Sequence, residues 1–164
     1  MKQLRTQKVS VLGGLLDITV HIAGQGEPLV FLHAASGLQW DEFLDGLADH
    51  YTVYAPAYPG TDPDNPDAIQ HITDMWDAVL AYDDVLDGLG LEHVRLVGHS
   101  FGGMLACELA AHRRRQIDKL VLIAPIGLWS EEAPYTVPDW TALEPEDLMK
   151  VLFHRLDEPR VQQA

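Results

Sequence analysis

Four short, apolar-rich runs constrain the fold of this chain more than any other feature: "LVFLH" (Leu29 to His33), "YTVYAP" (Tyr51 to Pro56), "HVRLVG" (His93 to Gly98) and "IDKLVLIAP" (Ile117 to Pro125). The first is continuously apolar, the pattern of a strand buried on both faces of a parallel sheet, and the third reads the same way. Between the runs lie helical stretches: "WDEFLDGLADH" (Trp40 to His50), "ITDMWDAVLAYDDVLDGLG" (Ile72 to Gly90) and "FGGMLACELAAHRRR" (Phe101 to Arg115). In the second, Met75, Val79, Tyr82 and Leu86 recur at helical spacing, and Gly88 and Gly90 stop the pattern. Repeated strand–helix–strand order predicts an α/β fold, a mostly parallel sheet with helices on both faces.

Two strands precede this rhythm. Lys8 to Leu12 is short and β-branched. In "LLDITVHIAG", Leu16, Ile18, Val20 and Ile22 fall on one face and Asp17, Thr19 and His21 on the other, a half-buried strand. "GQGEP" (Gly24 to Pro28) is a turn cluster, so the first two strands form a hairpin arm ahead of about six strands in all. After Gly127 the composition turns to Pro and Trp, with one amphipathic helix from about Glu144 to His154. That stretch reads as an insertion over the sheet or as a segment leading to something further, and the division falls between residues 1–127 and 128–164.

Composition narrows the function. With 164 residues, 47% hydrophobic, the chain is one ordinary domain or part of a larger one. A net charge of −14 argues against nucleic acid and against anionic membrane surfaces, and no run is long enough to span a bilayer. Nothing after the basic N-terminus resembles a signal peptide, so the cytoplasm is the default compartment. The lone Cys107 allows no intrachain disulfide and sits on the apolar face of a helix. Asp62, Asp64 and Asp67 lack the glycine and distal glutamate of a calcium loop, so no metal is expected there. Arg113, Arg114 and Arg115 suit the negative end of a helix.

The chemistry concentrates at Gly98-His99-Ser100-Phe101-Gly102, a G-x-S-x-G pattern directly between a buried strand and a helix. Such a serine sits on a sharp, strained turn that projects its Oγ above the sheet, and side chains at Gly98 and Gly102 would collide with neighbouring backbone. The helix that follows aims its N-terminal amides and positive dipole end at the site. Three fixed positions match by chance in roughly one such chain in twenty; the strand before and the helix after give the match its weight. A second element, "FLHAASG" (Phe31 to Gly37), ends the third strand at the same carboxyl edge, where sites of parallel sheets form. The N–H groups of Ala35 (Ala34 being the second choice) and Phe101 are the expected oxyanion donors, each worth roughly 3 kcal/mol of barrier.

With His33 and Gly37, Trp40, "APAYPG" (Ala55 to Gly60), "LVGHSFGG" and "LVLIAPIG" (Leu120 to Gly127) in place, the chain resembles the α/β-hydrolases from about Lys8 to His154. The resemblance implies a serine hydrolase, without a cofactor, acting on a small-molecule carboxylic ester or a related acyl or carbon–carbon bond. It makes His33 a structural residue of the oxyanion loop and residues 128–164 the start of a helical cap. Cap residues Trp129, Trp140, Leu143, Leu148 and Leu152 favour a small apolar acyl or aromatic ester, or serve cap packing. The chain departs from the family at Ala34, where glycine is usual, and a β-carbon there restricts the loop's backbone.

The larger departure is the missing base. The family's triad runs serine, acid, histidine, and the chain ends 64 residues after Ser100. His99 diverges from Ser100 on a sharp turn and packs or lines the pocket; His154 has no acid placed to orient it; His21, His50, His71, His93 and His112 read as surface or strand-end residues. The base and acid are therefore expected beyond Ala164. The alternative is a fragment or binding subunit that keeps the pocket without turnover. A sixth strand left as an apolar edge would recruit a partner chain or a second copy.

Overall fold

The computed structural model describes residues 2–132, 139 and 142–158. Within them, six strands form one sheet: β1 (Arg5–Val11), β2 (Leu16–Ala23), β3 (Pro28–Leu32), β4 (Thr52–Pro56), β5 (Val94–His99) and β6 (Ile117–Ile123). Their order is β1-β2-β4-β3-β5-β6. β1 and β2 are the antiparallel arm, joined through the tight turn at Leu12–Gly14, and β2 is also antiparallel to β4. From β4 to β6 every pairing is parallel.

β3 shows why a continuous apolar run is required here. Val30 and Leu32 enter one hydrophobic cluster, while Leu29 and Phe31 enter another on the opposite face of the sheet. The first cluster is covered by α2 (Met75–Gly88) and α3 (Phe101–His112), the second by α1 (Glu42–Leu47). β2 is buried at Leu16, Ile18, Val20 and Ile22 only on alternate positions before its last residue, as its polar alternation demands.

The helices are shorter than their sequence patterns. α1 starts behind Asp41, whose carboxylate accepts the Leu44 N–H at 3.0 Å, and stops at Leu47 rather than continuing to His50. α2 starts behind Asp74, which accepts from Trp76 (2.8 Å) and Asp77 (3.0 Å). Each carboxylate satisfies amides that the first helical turn leaves unpaired. Part of the Pro-rich loop after β4 is ordered as a 3-10 helix, Pro66–His71, where Pro66 stands in the first turn.

Among the described residues β6 pairs only with β5, and Leu120 (39%) and Val121 (51%) are exposed on it. The chain divides into two compact units after Leu128. The second holds an eight-residue helix, α4 (Pro145–Leu152). Trp140 lies outside the described residues. Among those described, no helix is long and apolar enough to cross a membrane.

Candidate active site

β5 passes into α3 through Ser100, whose backbone has φ 53° and ψ −115°. A side-chain-bearing residue in this region costs about 1–3 kcal/mol and persists only where surrounding bonds impose it. Here they do. The Ser100 N–H donates to Ile123 O at 2.9 Å, and the Ser100 carbonyl accepts from Gly103 (2.9 Å), Met104 (3.2 Å) and Ile126 (3.2 Å). The hydroxyl makes no capping bond to the helix it precedes.

Close approach explains the glycines around it. A Cβ on Gly98 would lie 2.7 Å from the Ala106 methyl, and one on Gly102 would lie 2.5 Å from His33 O and also against Leu32 O. Gly102 therefore lets α3 begin directly beside the end of β3. Gly103 matters as well, since a Cβ there would meet Pro125 at 2.8 Å. Its signal in the sequence is the second glycine of the "GG" pair.

In register, Leu32 pairs with Gly98, so the loop after β3 opens next to Ser100. The loop is a turn from Ala34 to Gly37, closed by Gly37 N–H to Ala34 O at 3.1 Å, with Gly37 at φ 97°. Ala35 is a central residue of that turn and is exposed, and its N–H is not the one that closes it. Ala34 is not among the residues of positive φ, so its β-carbon meets no left-handed strain.

His33 joins this loop to the one after β4. Its ring is buried, and Nε2 accepts the Tyr58 N–H at 2.8 Å. That bond leaves the proton on Nδ1, which donates to Ala34 O at 2.7 Å. Burial holds the imidazole below the usual histidine range, against a smaller upward pull from the Ala34 carbonyl. Tyr58 then packs edge-on against Phe101, with centroids 4.9 Å apart at 79°, and stacks on Tyr82 at 6.3 Å. Burial raises the Tyr58 phenol pKa and pushes that of Tyr82 far above the ordinary range.

Two cavities flank the turn. One of about 300 Å³ is lined by Ala35, Tyr58, Pro59, Thr61, Ile69 and Phe101. The other, about 180 Å³, is of mixed lining, with Phe31 and Leu44 beside His33, Ser36, Asp41 and His99. The structure thus gathers His33, Ala34 and Ala35 on one loop beside Gly98 to Gly102 on the other. Sequence reasoning assigned no role to Tyr58 or Ile69. Tyr58 could have been found, because the loop after β4 leaves the sheet at the same carboxyl edge; Ile69 carries no such signal.

The remaining histidines are engaged elsewhere or exposed. His93 meets Asp118 at 3.0 Å, His112 packs edge-on against Trp76, and His154 is exposed in the second unit. Among the described residues none is hydrogen-bonded to the Ser100 hydroxyl, and no group of histidine, cysteine and carboxylate side chains is placed to hold a metal. In the loop read as solvated, Asp62 accepts the Asp64 N–H at 3.0 Å.

Comparison with known proteins decides the family. The model of the Alpha/beta hydrolase family matches residues 29–163, most of the chain. The chain belongs to that family. Its relatives include a 2-hydroxy-6-oxo-2,4-heptadienoate hydrolase of Pseudomonas putida, 32% identical over 72% of this chain and 44% of the relative. A soluble epoxide hydrolase of Corynebacterium sp. is 30% identical over 71% of this chain and 41% of its own length. The chain spans less than half the length of these curated relatives. Among solved structures, the naproxen esterase of Bacillus subtilis superposes with a TM-score of 0.72 at 17% identity, covering 98% of this chain and 59% of that one. This likeness establishes the α/β-hydrolase architecture, of which the six strands are a part.

Proposed function

We propose that this member of the alpha/beta hydrolase family is a serine hydrolase, with Ser100 as the nucleophile that cleaves a carboxylic ester or related acyl or carbon–carbon bond. The observation that carries the reading is the backbone of Ser100, held at φ 53° between a buried strand and a helix by bonds to β6, its following loop and α3. Such strain is maintained where it serves a purpose, and here it lifts a hydroxyl that caps nothing to the carboxyl edge of the sheet.

In the reaction, Oγ attacks the acyl carbon while a base takes its proton. The carbonyl oxygen becomes an oxyanion that the N–H groups of Ala35 and Phe101 receive, with the amino end of α3 adding favourable potential. Collapse expels the leaving group, which takes the proton from the base. Water then repeats the sequence on the acyl-enzyme and releases the acid. An unassisted serine hydroxyl is a weak nucleophile at neutral pH. In the family order of serine, acid and histidine, that base and its acid come after the nucleophile. Residues 128–164, with Trp129, Leu143, Leu148 and Leu152, supply the beginning of a cap, and the cytoplasm is the compartment we assign.

Intact mass after treatment with a fluorophosphonate tests the reading. The expected result is one adduct, absent in Ser100→Ala. No adduct on a folded full-length protein would replace the enzyme by a binding protein that keeps the pocket without turnover.

A further inference from the structure

Among the described residues, three that carry a β-carbon have positive φ: Leu12, Ser100 and Ala124, the last at 42°. Ala124 follows the final residue of β6 and precedes Pro125. Its backbone is disfavoured twice. A β-carbon resists positive φ, and a following proline holds its neighbour near a φ of about −120°. Ala124 is exposed, so burial of its side chain does not account for the conformation. Hydrogen bonds on either side of it do. Ile123 O accepts the Ser100 N–H at 2.9 Å, and three residues later the Ile126 N–H donates to Ser100 O at 3.2 Å. To hold one residue from both sides the chain must reverse between Ile123 and Ile126, and the positive φ of Ala124 makes that reversal. The reversed loop lies along the first turn of α3. A Cβ on Gly103 would meet Pro125 at 2.8 Å, and one on Gly127 would lie 2.6 Å from Met104 Sδ.

We infer that Ala124 and Ile126 are positioning residues: through the Ser100 carbonyl, the loop leaving β6 aims the Phe101 N–H at the oxyanion. This rests on Ser100 being the nucleophile and Phe101 an oxyanion donor. The Ser100 C=O and the Phe101 N–H belong to one peptide unit. That unit is planar and trans, so its N–H points opposite to its C=O. Whatever holds the Ser100 oxygen therefore directs the Phe101 N–H.

Three amides hold that oxygen. Gly103 and Met104 belong to α3 itself, whose first peptide is its least constrained, since helix ends fray. Ile126 is the donor from outside the helix, and it fixes the tilt that α3 leaves free. Phe101 is the first residue of α3, so its N–H has no acceptor within the helix and is available to a substrate oxygen. A donor to an oxyanion works at hydrogen-bond distance and close to in line. A tilted Phe101 peptide consequently loses rate at the transition state while leaving the lining of the pocket in place.

The test is the rate at which a fluorophosphonate labels the full-length protein and its variants over a range of probe concentrations. In that reaction Oγ displaces fluoride, and the phosphoryl oxygen gathers charge where the hole receives it. The maximal rate reads the hole, and the half-saturating concentration reads the pocket. Rates refer to the fraction of protein that finally takes the adduct, so unfolded molecules do not count. Ala124→Val puts a β-branched residue at positive φ. It should lower the maximal rate at least about tenfold, part of the roughly 10²–10³ that loss of a whole donor costs. Ala124→Gly accepts positive φ and should stay within about twofold of the parent. An ester oxygen in place of the Ile126 N–H, introduced with the α-hydroxy analogue of isoleucine, should also slow labelling about tenfold while changing no side chain. The half-saturating concentration should be the same in all of them. Where Ala124→Val takes no adduct because it does not fold, the Ile126 ester decides. Labelling of the ester variant at the parent's maximal rate, or a change confined to the half-saturating concentration, overturns the inference and leaves the nucleophile standing. No adduct on the parent protein overturns the two together.

Discussion

His33 and Gly98 show how single residues hold the candidate site. His33 is kept neutral by burial, with Nε2 accepting from Tyr58 and Nδ1 donating to Ala34. Because its folded pKa lies below the ordinary 6.5, the unfolded chain binds the proton first as pH falls. Stability is therefore full above pH 6.5, declines below it and levels off once pH passes the folded pKa. Replacing His33 by Phe removes that decline and leaves the Tyr58 N–H without its acceptor, at a cost of about 1–3 kcal/mol. Urea titrations of both proteins between pH 5 and 8 would show the lost slope and the lower midpoint. Gly98→Ala forces a methyl against Ala106 and should cost about 1–3 kcal/mol by overpacking. Gly46→Ala is the contrast, because nothing lies within 4 Å of its added methyl and α1 gains a better helix former. It is expected to stabilise by about 0.4–1 kcal/mol, which thermal denaturation would detect.

Among elements, α2 and α3 are tied across their surfaces by Arg113. Its guanidinium bonds to Asp83 and, at 2.6 Å, to Asp87, and its side chain is only 11% exposed. The three-arginine run reads as a helix end in the sequence, and Arg113 is indeed the C-cap of α3. The tie to α2 was not legible, because nothing local links positions 30 residues apart. Arg113→Met retains the aliphatic packing but leaves Asp83 with His112, 3.8 Å away, in place of its guanidinium partner, and should cost about 2 kcal/mol, less than a fully buried pair would. A double-mutant cycle with Asp83→Asn measures the coupling, and additive effects would refute it. α1 illustrates the opposite failure. Its pattern runs to His50, but Tyr51 N–H and His50 N–H both turn back onto Leu47 O, and the chain leaves the helix to enter β4.

At the scale of the whole molecule, β6 is the outer strand of the described sheet, with Leu120 and Val121 exposed. An apolar strand with one unpaired edge recruits other chains. The 164-residue chain is accordingly expected to self-associate with rising concentration, and Val121→Lys to reduce this in sedimentation velocity. Equal association by the two proteins would remove the edge as the cause.

What the sequence by itself determined is local: which runs are strands, which stretches are helical, and that Ser100 lies on a turn packed by glycines. Each of these depends on steric or hydrogen-bonding demands satisfied within a few residues. Tertiary structure alone decided the rest. The order β1-β2-β4-β3-β5-β6 places the ends of β3 and β5 side by side, which no run reveals, because strand neighbours are chosen by burial across the whole sheet. The same packing brings Tyr58 to His33 across 25 positions, ranges Ile69 beside Phe101, and sets two cavities at one loop. Those contacts exist only where distant segments meet, so their physical cause is the fold and not the local chain.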